Sequence, residues 1–165
     1  MIGSFRHGGA IAIAAFALIA ISGAAATASP QQATVQSFVG TWNCVTHTSD
    51  NKTYHETDTD TMWANWLKID GDMSVQGQPA VKSMGFFGYD PKQGRWYIAS
   101  VDSMGNYASN YSTSKNLGGS TWHDGYPNNG GSATVSTSKN QYVVDSKGRD
   151  MHGKAVTSHE VCTRA

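Results

Sequence analysis

The chain has no net charge, holding 12 Lys and Arg against 12 Asp and Glu in 165 residues. Without an excess of basic residues there is no electrostatic footprint for nucleic acid or for an anionic membrane surface, so neither is expected as a partner. There is no internal repeat, no long block of like charge and no helical heptad, which excludes solenoids, charged tails and coiled coils. His47, His123, His152 and His159 are scattered, with no H-x-H or H-E-x-x-H spacing, so no metal centre is expected. His123-Asp124 beside Trp122 has no nucleophile context and reads as a rim turn, so no catalytic residue is assigned.

Long apolar runs are equally scarce. Ile11 to Ile21 is the one such run, and a permanent membrane helix needs ~20 apolar residues. Arg6 and His7 precede it, and Ala26-Thr27-Ala28 supplies a small-x-small cleavage pattern. Residues 1–28 therefore read as a signal peptide, which places the remainder in the periplasm or outside the cell without stable membrane insertion. Residues 29–38 form a lead-in with a helical turn or two around Ala33 to Phe38, and 39–165 form a single domain.

What the sequence does have is Gly, Ser, Thr, Asn and aromatics, the composition of a turn-rich β domain. Short β-branched and aromatic runs begin with Thr41–Ser49, Thr53–Trp63 and Trp66–Ile69, the last ended by Asp70-Gly71-Asp72 as a turn. Later punctuation includes Asp90-Pro91-Lys92-Gln93-Gly94 and the Tyr126–Gly131 loop. The pattern predicts an all-β, antiparallel up-and-down barrel of about 8–10 strands, because closure removes the unpaired edges of so wide a sheet.

Cys44 lies in the first strand and Cys162 in the last. In an exported chain such a pair predicts a structural disulfide; a redox pair favours close C-x-x-C spacing beside a helix. With an even number of strands, the first and last run antiparallel at the seam. Placing Cys44 opposite Cys162 then sets Trp42 opposite Arg164 and Thr46 opposite Glu160. For the first hairpin, an even loop centred on Asp50-Asn51 pairs Thr46 with His55, Cys44 with Thr57 and Trp42 with Thr59. That register turns His55, Thr57, Thr59, Thr61 and Trp63 inward with Trp42, and Glu56, Asp58 and Asp60 outward.

Gly40-Thr41-Trp42 at the start of the barrel and Arg164 near its end resemble the lipocalin and wider calycin pattern. In that superfamily a Gly-x-Trp motif opens the barrel, and an Arg from the final strand packs over the indole to close one end. With Gly88-Tyr89-Asp90 and Trp96-Tyr97, the chain is similar to small secreted bacterial calycin-like domains of unknown function. It departs from true lipocalins in lacking their later Thr-Asp-Tyr segment and their helix before the final strand.

These readings make Trp42, Thr46, His55, Thr57, Trp63 and Glu160 the candidate ligand-binding interior. The polar row of Thr46, His55 and Glu160 meets the polar end of a small apolar or aromatic molecule. An envelope interaction module with a filled barrel, making contacts through loops such as Tyr126–Gly131, is the alternative. A haem-binding or enzymatic barrel is a minor one, with His55 as proximal ligand by analogy with nitrobindin-like barrels. No other cofactor is expected.

Overall fold

A computed structural model describes residues 28–75, 77, 79–126, 130–149 and 153–165. The leader reading therefore lies outside the described residues as far as residue 27, as do His152 and the middle of the Tyr126–Gly131 loop. Among the described residues no helix is long and apolar enough to cross a membrane.

The first described element is α1 (Pro30–Gln36), earlier than the helical turn expected around Ala33. Its start is chemically specified: Ser29 Oγ accepts from the Gln32 N–H, and Pro30 occupies the first helical turn. Ten strands follow: β1 (Gly40–Thr48), β2 (Thr53–Trp63), β3 (Trp66–Val75), β4 (Val81–Asp90), β5 (Arg95–Asp102), β6 (Tyr107–Ser112), β7 (Ser120–Tyr126), β8 (Ser132–Thr137), β9 (Gln141–Arg149) and β10 (Ala155–Arg164). Each pairs antiparallel with its chain neighbours, and β1 pairs with β10 to close the barrel. The expected up-and-down barrel is the fold observed.

The seam also matches expectation. Trp42 is opposite Arg164, Cys44 opposite Cys162 and Thr46 opposite Glu160, and the two sulfurs are bonded. The Arg164 guanidinium lies 4.3 Å from the Trp42 ring centroid and donates to the Val39 and Ser37 carbonyls at 2.8 and 2.6 Å. The Trp42 indole N–H donates to the Phe38 carbonyl at 2.7 Å. One cation thus ties the last strand to the chain entering the first. Gly40 is needed there, because its φ is +140° and an added Cβ would sit 2.6 Å from Arg164 Nη1. Replacing Arg164 with Ala should lower the unfolding free energy by about 1–2 kcal/mol. Lys should restore little, since it lacks the planar fork. A urea midpoint unchanged in Arg164→Ala would show that the clasp contributes nothing.

Two expectations need correction. The first hairpin is registered one residue away from the even loop. Gly40 pairs with Asp60, Trp42 with Asp58, Cys44 with Glu56 and Thr46 with Tyr54. The cause is a three-residue loop, Ser49-Asp50-Asn51, with Asn51 at φ 64° and the Thr48 N–H donating to the Lys52 carbonyl. A three-residue hairpin closes through such a left-handed residue, which Asn tolerates. Because side chains alternate, the single shift exchanges the two faces of β2.

Asp70-Gly71-Asp72 is also no turn. It lies inside β3, with Gly71 buried and paired with Asp58. An added Cβ at Gly71 would come within 2.5 Å of Glu56 Oε1 and 2.9 Å of Asp58 Oδ1. The glycine marks a close approach of side chains rather than a change of direction.

The core sits at the α1 end of the barrel. Val35, Leu67, Phe87, Trp96, Leu117 and Trp122 form one buried cluster, with Phe87 and Trp96 stacked at 5.6 Å. Trp42 and the disulfide form a second, and Phe38 packs against both. The helix and these rings plug one end. The other, where β1 reaches Thr48 and β9 reaches Arg149, is left unfilled.

Candidate functional site

A cavity of about 850 Å³ fills the barrel from the aromatic plug to that unfilled end. Phe38, Leu67, Phe87 and Trp122 line its floor, and Ile69, Ile98, Val135 and Val144 line its sides. A volume of this order suits a drug-sized molecule and is incompatible with a filled barrel.

The polar part of the lining comes from β2 and β10. Glu56, Asp58 and Asp60 face inward from alternate positions of β2, and Glu160 faces them from β10, across β1. Thr46 Oγ1 donates to Glu160 Oε2 at 3.3 Å, and Ser83 Oγ donates to Glu56 Oε1 at 3.2 Å. The disulfide lies between the two acidic strands: Asp58 Oδ2 is 3.7 Å from Cys44 Sγ, and Glu160 Oε1 is 3.2 Å from Cys162 Sγ. A disulfide sulfur carries no proton, so any hydrogen bond there is donated by a protonated carboxyl. The Tyr142 hydroxyl stands 3.5 Å from Cys44 Sγ.

Burial sets the electrostatics. Asp58 is pushed up to about 8, first by desolvation and then by the charges of Glu56, Asp60 and Glu160. Desolvation pushes Asp60 up to about 7, opposed by the charge of Arg164. Glu56 and Glu160 are raised mainly by the same burial, and the Tyr142 hydroxyl is driven far up by burial and by the carboxylates around it. Asp58 Oδ1 and Asp60 Oδ1 are both buried with no donor. For Asp58 a proton shared with Glu56 can remove the deficit.

Of the expected interior residues, the structure brings Trp42, Thr46 and Glu160 to the inner face and removes the others. His55 and Thr57 are exposed on the outer face of β2. Trp63 is 62% exposed and packs against Phe86 outside. These are corrections with one cause, the three-residue hairpin. His55 therefore cannot serve as proximal ligand to a haem in the lumen. Trp42 belongs to the plug rather than to the cavity wall.

The acidic residues were missed because water-facing carboxylates looked like the sensible register. The available signal was Gly71, a lone glycine between two short apolar runs, compatible with a strand that passes close to bulky neighbours. Among the described residues, the histidines scattered in sequence meet in one instance. His47 and His159 are opposed across the seam on the outer face, with Nδ1 atoms 3.0 Å from Thr53 Oγ1 and 2.7 Å from Asp145 Oδ1. Among the described residues, the one trio of possible metal ligands within reach of one another is Cys44, Glu160 and Cys162, and its two sulfurs are bonded to each other.

A family model described as a protein of unknown function, DUF1579, matches residues 27–163. The chain belongs to that family. No curated protein matches it. Among solved structures it is similar to the S-type phycobiliprotein lyase CPES from Guillardia theta, at 10% identity and TM-score 0.56, covering 81% of this chain and 92% of that one. It is also similar to EF1p2_mFAP2b bound to DFHBI (12% identity, TM-score 0.51, 82% and 99% covered). A de novo designed fluorescence-activating β-barrel matches at 18% identity and TM-score 0.50, with 79% and 96% covered. Identities this low carry the fold, a closed antiparallel β-barrel, and nothing of the function.

Proposed function

We propose that this protein is an exported binding module whose barrel takes up a small molecule with an apolar or aromatic body. The observation that carries the reading is the cavity of about 850 Å³, floored by aromatic rings and open at one end. Apolar surface supplies affinity in such a site, and a few placed polar groups orient the guest. The DFHBI-bound barrel supports the reading by likeness of architecture. Export rests on the leader pattern in residues 1–28, and the disulfide is consistent with an oxidising compartment.

The test is a titration of aromatic fluorophores that carry no charge at neutral pH, followed by dye emission and by thermal shift. At least one is expected to bind saturably with a rise in melting temperature. Ala108→Trp, which places an indole in the lumen wall, should weaken that binding about tenfold or more while leaving the barrel folded. Absence of any saturable response across the panel would overturn the proposal.

A further inference from the structure

An acidic row inside a barrel is unusual because every buried carboxylate must be compensated or neutralised. Here the described residues supply little compensation at depth, the charge of Arg164 opposing the rise at Asp60 only in part. Arg164 is committed to two backbone carbonyls and to the Trp42 ring. The basic residues that line the cavity, Lys52, Lys147 and Arg149, stand near the ends of strands at its mouth, and Lys52 is ion-paired with Asp50 at 2.7 Å. Asp60 is only 4% exposed, lines the cavity, and its Oδ1 accepts no hydrogen bond from the protein. Asp58 can share a proton with Glu56, whereas Asp60 feels its acidic neighbour Asp70 only as a repelling charge. Gly71 on the neighbouring strand makes room for these acids: the Glu56 and Asp58 carboxyls and the Ser83 hydroxyl occupy the space that a Cβ there would take.

The arrangement also limits what the missing partner is. A bare divalent cation needs carboxylate oxygens gathered about one point. Among the described residues no trio drawn from Glu56, Asp58, Asp60 and Glu160 comes within ligating reach. The acids are instead carried along β2 and, beyond β1, on β10, strands whose backbones lie two spacings or roughly 10 Å apart. Such a spread suits N–H groups on an organic cation, which take carboxylate oxygens one by one, while the apolar wall of Ile69, Ile98, Val135 and Val144 takes the rest.

Building on the cavity-binding reading above, we propose that the ligand is an organic cation, an amine or amidine on an apolar or aromatic body, held through Asp60, Asp58, Glu56 and Glu160. The cation supplies the counter-charge that folding leaves out. It also displaces protons from the cluster, since Asp58 and Asp60 are held up to about 8 and 7 in its absence. The groups acting on them from packed elements are Glu56 on β2, Asp70 on β3, Glu160 and Arg164 on β10, Tyr142 on β9 and Ser83 on β4.

The experiment is calorimetric titration of the protein at neutral pH with phenylbutylamine, phenylbutanol and phenylbutyrate, which share one apolar body. The amine should bind about tenfold or more tighter than the alcohol, and the carboxylate more weakly than either. Repeating the amine titration in buffers of different ionisation enthalpy should show net proton release. Asp58→Asn with Asp60→Asn should erase the preference for the amine over the alcohol and the proton release, in a barrel whose strand signal is retained. Equal binding of amine and alcohol, or preference for the carboxylate, would overturn the cation inference and leave the cavity reading standing. No binding of any of the three to the parent protein, together with failure of the fluorophore panel, would overturn both.

Discussion

Conformational stability should fall as pH rises from about 4 to about 8, the reverse of ordinary acid denaturation. The carboxyls of Asp58 and Asp60 have an ordinary value of 3.8 and are held at about 8 and about 7 in the folded barrel. Between those limits the folded state binds more protons than the unfolded one, so the free energy of unfolding decreases with pH. The stabilising contribution is complete below about 4 and is lost as pH climbs through the folded values. Glu56 and Glu160 are raised in the same direction and add to the slope. A tenfold difference in proton affinity between the two states corresponds to about 1.4 kcal/mol. Water entering the open cavity limits the loss, and ~3 kcal/mol across the window is a reasonable expectation.

Below this window the sign reverses. Asp50 is lowered to about 2 by its hydrogen bonds with Lys52 and Thr48, and it contributes stability that is lost as pH falls from about 4 through that value. A maximum of stability near pH 4 follows. Urea unfolding at a series of pH values checks this, and Asp58→Asn should match the parent near pH 4 yet exceed it near pH 8. A parent curve that is flat or rising from 4 to 8 would show that these carboxyls are not buried as the structure places them.

The second large effect concerns the seam. Cys44 and Cys162 are separated by 118 positions, so their bond closes nearly the whole barrel into one loop. In the chain-entropy account a loop of this length restricts the unfolded ensemble by about 5 kcal/mol, and measured native disulfides contribute roughly 2–5. Both residues are buried beside Trp42, so the bridge is removed most cleanly by Cys44→Ala with Cys162→Ala. That variant should lose about 2–5 kcal/mol in urea unfolding while keeping its strand signal, because the β1–β10 ladder persists without the sulfurs. A loss under about 1 kcal/mol would mean that the hydrogen-bonded seam already supplies the closure.

The inner acidic row and the covalent seam touch, with the disulfide lying between the two acidic strands. The same part of the barrel therefore holds the strongest staple and the most costly side chains. This juxtaposition fits a binding site that withdraws stability locally while the closure supplies it.

Much of this was legible in one dimension. Strand spacing and turn residues indicated an antiparallel barrel, and two cysteines near the ends of an even-stranded sheet required β1 and β10 to meet. From that alone Trp42 fell opposite Arg164 and Thr46 opposite Glu160. These inferences held because covalent bonding and strand parity are insensitive to local conformation. The faces of β2 were not legible in the same way. Whether the loop after Thr48 contains two residues or three depends on Asn51 adopting φ 64°, a choice that costs little either way. One residue of shift then exchanges every inward side chain for an outward one. The usual tie-breaker, that acids face water, points the wrong way when the interior is a cavity rather than a core. Amino-acid order alone thus determined the barrel, its closure and the pairing of Trp42 with Arg164, through strand periodicity and the cysteine pair. Only the tertiary structure decided that Glu56, Asp58 and Asp60 look inward and His55 outward, because that depends on the balance of desolvation against hairpin geometry over the whole closed sheet.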